Sequence, residues 1–367
     1  MNIFDFEKLD KLILSEDEYY MAKALELAKL GEGRVSPNPM VGAVVVKDKR
    51  ILSIGYHMGP GTKHAERMAL DNMPPGVEGA TLYVNLEPCV HYGRTPPCAP
   101  YIVEKKIKEV VIGCVDPDER VNGKGIGYLK KNNVKIKVGV LKEKCEEINR
   151  FYLTYKIKKR PYITLKYAMT MDGKIALKGG VSKWISSEEE REFVHYLRGN
   201  YDAILIGKGT FLKDNPKLTP RSVFSFRTPF RFIIWGKDKF EHFESDFFKI
   251  EKGFLVVSED YKGKESDFVI KIKGKNRVDL ANFVKKLYEM NIISLLVEGG
   301  STILSSFLKE NLFDEIHISC SGKIAGDGLS PLRDLELNKF LEGFEIKFYK
   351  VFKSDIYMVW RKNENQA

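Results

Sequence analysis

Long apolar runs are missing from this chain of 367 residues. The opening stretch MNIFDFEKLDKLILSEDEYY is interrupted by acids, so it reads neither as a secretory signal nor as a run of about 18 apolar residues able to span a bilayer. The expectation is a cytoplasmic protein with no membrane partner. Cysteine is scarce: five residues at uneven spacing exclude a disulfide framework in a chain this long and leave reduced thiols or metal ligands. No internal repeat or low-complexity tract breaks the pattern. No GxGxxG occurs either; GKGIG at 123–127 and GKGT at 207–210 have the wrong spacing, so a Rossmann-type cofactor site fails. Acid is in deficit, 50 Asp and Glu against 60 Lys and Arg, for a formal charge of +10. The lysines of KDKR, EKKIKE and KIKKR interleave with acids and apolar residues, which describes a solvated surface better than a nucleic-acid groove and suits a phosphorylated small substrate.

What is present is two α/β patterns. The length exceeds what one core usually supports. Residues 17–30 have the spacing of an amphipathic helix stopped by Gly31, and MVGAVVVKD with RILSIGYH reads as a hairpin. A helix from His64, the strand TLYVNLE, a Pro/Gly-rich loop, a helix over 99–106 and the strand EVVIGC complete a first sheet covered by helices. The composition changes in CEEINRFYLTYKIKKRP, which places the first domain at 1–148, a linker at 149–160 and the second domain at 161–367. The second half alternates strands (DAILIG, RFIIW, FLVV, ISLLVE) with helices at 187–199, 277–289 and 301–309. It closes with EIHISC and FEIKFYKVFKSDIYMVW as antiparallel strands.

The chemistry is concentrated in HAE at 64–66 and PCVHYGRTPPC at 88–98. His64, Cys89 and Cys98 supply one imidazole and two thiolates, a ligand set that zinc accepts while keeping its fourth position for water. Zinc would acidify that water to a hydroxide able to attack an aminopyrimidine carbon. Glu66, two residues beyond His64, would shuttle protons without ligating. Eight residues separate the cysteines where the general deaminase signature has two. A structural zinc or simply buried thiols is the alternative. Cys114, Cys145 and Cys320 lack such context and read as small buried hydrophobes.

HAE, PCVHYGRTPPC and PNPMVGAVVV at 37–46, together with TLKYAMTMDGKIA, SKWIS, LRGNYDAILIGKGTFLKDNPKLT and LLVEGGSTI, resemble the bifunctional riboflavin-biosynthesis deaminase–reductases over nearly the whole chain. The resemblance implies a cytidine-deaminase-like α/β/α sandwich followed by a dihydrofolate-reductase-like α/β domain. It implies a hydrolase and an oxidoreductase in one chain. The first domain would deaminate 2,5-diamino-6-ribosylamino-4(3H)-pyrimidinone 5′-phosphate. The second would use NADPH to reduce the ribosyl group to ribityl, giving 5-amino-6-(5-phospho-ribitylamino)uracil. A homo-oligomer is the expected assembly.

The same resemblance implies site residues. Asn38 would bind the pyrimidine, unless it is only a turn former between Pro37 and Pro39; His91 and Arg94 would approach base or phosphate, although Arg94 also fits a surface role. Ala168, Trp184, Thr210, Asp214 and the stretch Gly300, Ser301, Thr302, Ile303, Leu304, Ser305 and Ser306 would contact NADPH. GGST at 299–302 follows a buried strand and opens a helix, a seat for pyrophosphate or only a helix start. Trp184 could otherwise be core. Ser182, Arg198, Leu218, Arg221 and Glu298 would hold the substrate, with Arg198 alternatively capping its helix before Gly199. Lys166, on the first strand of the domain, is the candidate for polarising the reacting ribose carbon. Pro220 and Trp235-Gly236 depart from the family pattern and blur the local substrate and cofactor contacts. A rival reading is a tRNA-editing deaminase with a basic accessory domain, but the second half shows no basic stripe with interleaved aromatics. A binding module with a structural zinc is a third reading, which ammonia release from the first domain would exclude.

Overall fold

A computed structural model describes residues 14–178, 185–221, 227–333 and 343–362. The chain divides into two compact units, Met1–Lys159 and Arg160–Ala367. Among the described residues no helix is long and apolar enough to cross a membrane.

The first unit runs α1 (Glu16–Lys29), β1 (Gly42–Lys47), β2 (Arg50–Tyr56), α2 (Ala65–Asp71), β3 (Thr81–Leu86), α3 (Cys98–Glu104), β4 (Glu109–Cys114), α4 (Lys124–Lys131), β5 (Lys135–Val138), α5 (Lys142–Ile148) and α6 (Arg150–Lys158). Its sheet has the order β2-β1-β3-β4-β5. The β1/β2 hairpin is antiparallel, and its turn places Asp48 and Lys49 at φ 47° and 60°, the left-handed pair that matches strand twist. β3, β4 and β5 are parallel, so α3 and α4 must cross over to connect them, and their apolar faces meet the sheet. Ala43, Val45, Leu82, Val84, Val110 and Ile112 form that core with Ala69, Leu70 and Ile102. α1 starts on a capping box at Ser15 and Glu18 and carries three acids in its first turn, where the helix dipole favours them. Residues 150–158, read from sequence as linker, are helix α6.

The second unit continues with β6 (Tyr162–Thr170), β7 (Ala176–Leu177), α7 (Glu188–Asn200), β8 (Ala203–Gly207), α8 (Lys208–Asp214), β9 (Phe230–Gly236), α9 (Asp246–Lys249), β10 (Gly253–Ser258) and β11 (Val269–Ile272). α10 (Leu280–Glu289), β12 (Ser294–Glu298), α11 (Ser301–Lys309), β13 (Glu315–Ser321), β14 (Gly328–Leu329), β15 (Phe344–Phe352) and β16 (Asp355–Lys362) complete it. The main sheet has the order β11-β10-β9-β8-β12-β6-β13-β16-β15. Strand β8 (AILIG) and the middle of β12 (SLLVE) are apolar, as parallel strands covered on both faces must be. EIHISC, expected to be antiparallel, is β13. It runs parallel to β6 and antiparallel only to β16, because α11 returns the chain across the sheet. Cys114 and Cys145 are buried, whereas Cys320 is only half-buried.

Candidate active sites

In the first unit β2 ends next to the loop that leads to His64, the N-cap of α2. The cysteine loop leaves the end of β3, and its eight intervening residues are closed by a turn. The amides of Cys98 and Ala99 both donate to the carbonyl of Cys89, at 3.1 and 3.0 Å. Arg67 steadies the loop by donating to the carbonyls of Pro96 and Pro97 and lying 4.1 Å over the Tyr101 ring. The long spacing that departs from the general deaminase signature therefore still brings both sulfurs to one point. His64 Nδ1 lies 3.6 Å from Cys89 Sγ and 3.4 Å from Cys98 Sγ, and the three ligand atoms form one cluster. A tetrahedral zinc with ordinary bond lengths needs N···S separations of about 3.6 Å, so these residues fit the ion. His64 Nε2 meets Thr95 Oγ1 at 3.0 Å, the kind of outer partner that fixes a ligating imidazole. The hydrogen bond with Cys98, followed by that with His64, favours the Cys89 thiolate against burial. Glu66 is buried in the first turn of α2, and burial pushes its carboxyl up.

Asn38 sits beside this cluster. Its Nδ2 donates to His57 Nε2 at 3.0 Å, while the carbonyl of Lys63 can only accept from His57 Nδ1, at 3.3 Å, which fixes the tautomer. The His57 and His64 rings meet edge to face at 5.5 Å. Asn149 holds the same loop through both backbone groups of Met40, at 2.7 and 2.9 Å. Sequence reasoning missed His57 and Asn149, whose partners are 19 and 109 residues away. His91 is half-buried with an Nδ1 that has no hydrogen-bond partner among the described residues, and Arg94 is exposed.

In the second unit the carboxyl ends of β6, β8, β9 and β12 open onto a cavity of about 890 Å³. Open α/β sheets bind ligands at these ends. Lys166, Ala168, Thr210, Asp214, Leu218, Arg198, Glu298, Gly300, Ser301, Thr302, Ile303 and Ser306 all line it. Leu304 and Ser305 do not: they lie on the buried side of α11, and Ser305 Oγ accepts from the Arg333 amide at 3.0 Å. Arg221 is exposed and does not line the cavity either. Ser182 and Trp184 lie outside the described residues.

Gly300 is the N-cap of α11, and its amide donates to Thr210 Oγ1 at 3.1 Å. A Cβ on the neighbouring Gly299 would come within 2.9 Å of Ile303 Cγ2, so the strand-to-helix turn is as close as glycine permits. Arg333, missed by sequence reasoning, donates to Ser301 Oγ and Thr302 Oγ1, both at 2.9 Å, and adds a cation to this end of the cavity. That cradle of amides, hydroxyls and a guanidinium suits a dinucleotide pyrophosphate. Arg198 does not cap its helix, which continues to Asn200; its fork grips Glu298 instead. Burial opposes the Glu298 carboxylate, but Arg198 outweighs it and holds Glu298 below the usual range. Lys166 Nζ lies 3.5 Å from the fully buried Glu190.

The two units, one with a cysteine–histidine metal cluster and a buried glutamate, the other with a dinucleotide-sized cavity, define a deaminase joined to a reductase. Residues 14–114 match the cytidine and deoxycytidylate deaminase zinc-binding region, and 161–355 match the RibD C-terminal domain. The chain is 42% identical to the riboflavin biosynthesis protein RibD of Aquifex aeolicus, over 93% of this chain and 96% of that one. It is 39% identical to that of Bacillus amyloliquefaciens, over 86% and 87%. It superposes on the crystal structure of a diaminohydroxyphosphoribosylaminopyrimidine deaminase/5-amino-6-(5-phosphoribosylamino)uracil reductase from Thermotoga maritima with a TM-score of 0.83 at 39% identity, covering 95% and 99% of the two chains. For RibD of Acinetobacter baumannii the TM-score is 0.86 at 30% identity, with the same coverage. The chain belongs to the RibD family of riboflavin biosynthesis proteins. The tRNA-editing alternative is not favoured, since the second half matches a reductase domain and not a basic accessory one.

Proposed function

We propose that the first unit hydrolyses the 2-amino group of 2,5-diamino-6-ribosylamino-4(3H)-pyrimidinone 5′-phosphate and that the second reduces the ribosyl group to ribityl with NADPH. The observation that carries the first step is the His64, Cys89 and Cys98 cluster beside a buried Glu66. A zinc held there supplies the acidity that makes water nucleophilic at neutral pH. Glu66, its proton affinity raised by burial, takes a proton from the attacking water and gives it to the ring nitrogen, then takes the second proton from the new hydroxyl on the tetrahedral carbon and delivers it to the departing amino group as ammonia. Asn38, its amide nitrogen committed to His57, presents its carbonyl oxygen to the base. His91 and Arg94 approach base or phosphate from the cysteine loop.

In the second unit a bound NADPH would supply the hydride that reduces ribose C1′. A proton must also be taken up as the C1′–O4′ bond opens, and Lys166 at the cavity wall is placed to polarise this centre. Thr210, Gly300, Ser301, Thr302 and Ser306 hold the dinucleotide, with Ala168, Asp214 and Ile303. Leu218 and the Arg198–Glu298 pair shape the substrate end. The proposal takes the chain to be a cytoplasmic homo-oligomer, which fractionation and light scattering test. One coupled assay tests the chemistry: ammonia release and NADPH oxidation on the diamino substrate should proceed in that order. NADPH oxidation on this substrate without prior ammonia release would overturn the sequence of steps.

A further inference from the structure

The first turn of α7 carries three consecutive glutamates, Glu188, Glu189 and Glu190, a common pattern where a helix dipole favours acids. Glu189 pairs at the surface with Lys353. Glu190 differs: it has no solvent exposure at all. The dipole accounts for an acid here but not for its burial, which costs several kcal/mol for an ion without compensation. Its compensation comes from two strands. Ser319 of β13 donates its hydroxyl to Oε1, and Lys166 of β6 places Nζ 3.5 Å from the same oxygen. Oε2 is buried with no hydrogen-bond partner among the described residues.

We propose that Glu190 is a positioning residue of the reductase, the buried counter-ion that holds the Lys166 ammonium in place at the cavity wall. Lys166 lines the cavity and Glu190 does not, so Glu190 acts only through it. Glu298, the other carboxylate near Lys166, already has both oxygens engaged by Arg198 at 2.7 and 2.6 Å. The charges thus sort into two pairs, Arg198 with Glu298 and Lys166 with Glu190. Glu190 also lies in the field of Arg198 and of Tyr357 of β16, whose hydroxyl meets His317 Nδ1 at 2.6 Å. With Glu190 neutralised, Lys166 would keep only a share of Glu298, which Arg198 already engages through both oxygens. An ammonium so placed loses the contact that fixes its position at the cavity wall.

The inference rests on the second unit being a reductase. Its test uses the full-length chain with Glu190→Gln, which keeps the shape and removes the charge. The reductase kcat should fall by about tenfold or more with KM for NADPH within about twofold, since the cofactor contacts are untouched. Glu190→Asp should restore part of the rate, and ammonia release should be unchanged. A kcat within about twofold of the parent, or a fall in kcat that comes with a raised KM for NADPH and is not restored by Glu190→Asp, would give Glu190 a packing role and overturn the proposal. Should the Gln variant not fold, Ser319→Ala withdraws the hydroxyl that supports the carboxylate: a lowered reductase kcat with KM for NADPH unchanged supports the proposal, an unchanged kcat overturns it. An unsubstituted chain that never oxidises NADPH would instead remove the reductase reading itself.

Discussion

Arg198 on α7 lays its guanidinium flat against the carboxylate of Glu298 at the end of β12, Nε to Oε1 at 2.7 Å and Nη2 to Oε2 at 2.6 Å. Both side chains are largely buried, 16% and 13% exposed. Removing one partner of such a pair strands the other and costs about 3–5 kcal/mol. Arg198→Ala and Glu298→Gln are therefore each expected to lower the melting temperature of the reductase unit and to cut its kcat/KM by about two orders of magnitude, with ammonia release unaffected. Replacing both by Met should recover the melt but not the activity. Unchanged melting of both single variants would show that the pair contributes nothing to the fold.

Glu66→Gln should keep one zinc per chain and lose deamination by about two to four orders of magnitude, because the residue moves protons and does not ligate. Metal content by mass spectrometry and ammonia release are measured on the same sample. Loss of zinc in this variant would place Glu66 among the ligands.

Gly42 marks the closest approach of β1 to α1: a Cβ there would stand 2.0 Å from the carbonyl oxygen of Ala24 and 2.7 Å from the nitrogen of Ala28. Both are backbone atoms of a helix, so they cannot swing aside. Gly42→Ala should destabilise the first unit by about 1–3 kcal/mol or more and leave NADPH oxidation intact. Gly127→Ala on α4, where nothing lies within 4 Å, is the control and should be neutral or slightly stabilising. Equal melting of the two variants would contradict the close contact.

His195 titrates at about 4 in the folded chain, pushed down first by burial and then by the charges of Arg198 and Arg221. Its unfolded value is about 6.5. Between these values the unfolded chain binds a proton that the folded chain refuses, so stability from this group is full above pH 6.5 and declines as pH falls toward 4. His195→Gln should flatten the fall in melting temperature of the second unit across that window. A difference between variant and parent that stays constant from neutral pH to pH 4 would exclude His195 as the titrating group.

Arg160 opens the second unit with a two-pronged grip on Asp314, 2.6 and 2.7 Å. A fragment beginning at about residue 158 should therefore fold and melt cooperatively, whereas one beginning at Tyr162 should melt lower by an amount equivalent to about 1.5–3 kcal/mol. Calorimetry on both fragments decides the point; identical transitions would make Arg160 dispensable.

The ligand cluster was legible because its chemistry is carried by residue types with few other uses in that combination: an HAE at a helix start and two cysteines framing a Pro/Gly-rich loop. The sequence of α1, the β1/β2 hairpin and the apolar strands β8 and β12 likewise announced itself through periodicity, a local property of the chain. The GGST turn at the start of α11 was legible as a helix start, though not as a completed cradle.

Tertiary structure alone decided the rest, because the partners are distant along the chain and adjacent only after the sheet closes. No local pattern distinguishes Glu190 from Glu188 and Glu189; only the packing of α7 on β6 and β13 buries one of the three against Lys166. Arg198 read as a phosphate ligand with helix capping as the alternative, and no local pattern announces that its guanidinium engages Glu298, 100 residues on. Arg333 reached the α11 turn from 32 residues away, while Leu304 and Ser305, inside the motif itself, turned to the buried side. A motif fixes which backbone comes to a site, but the 3.6-residue turn of the helix decides which of its side chains face the ligand.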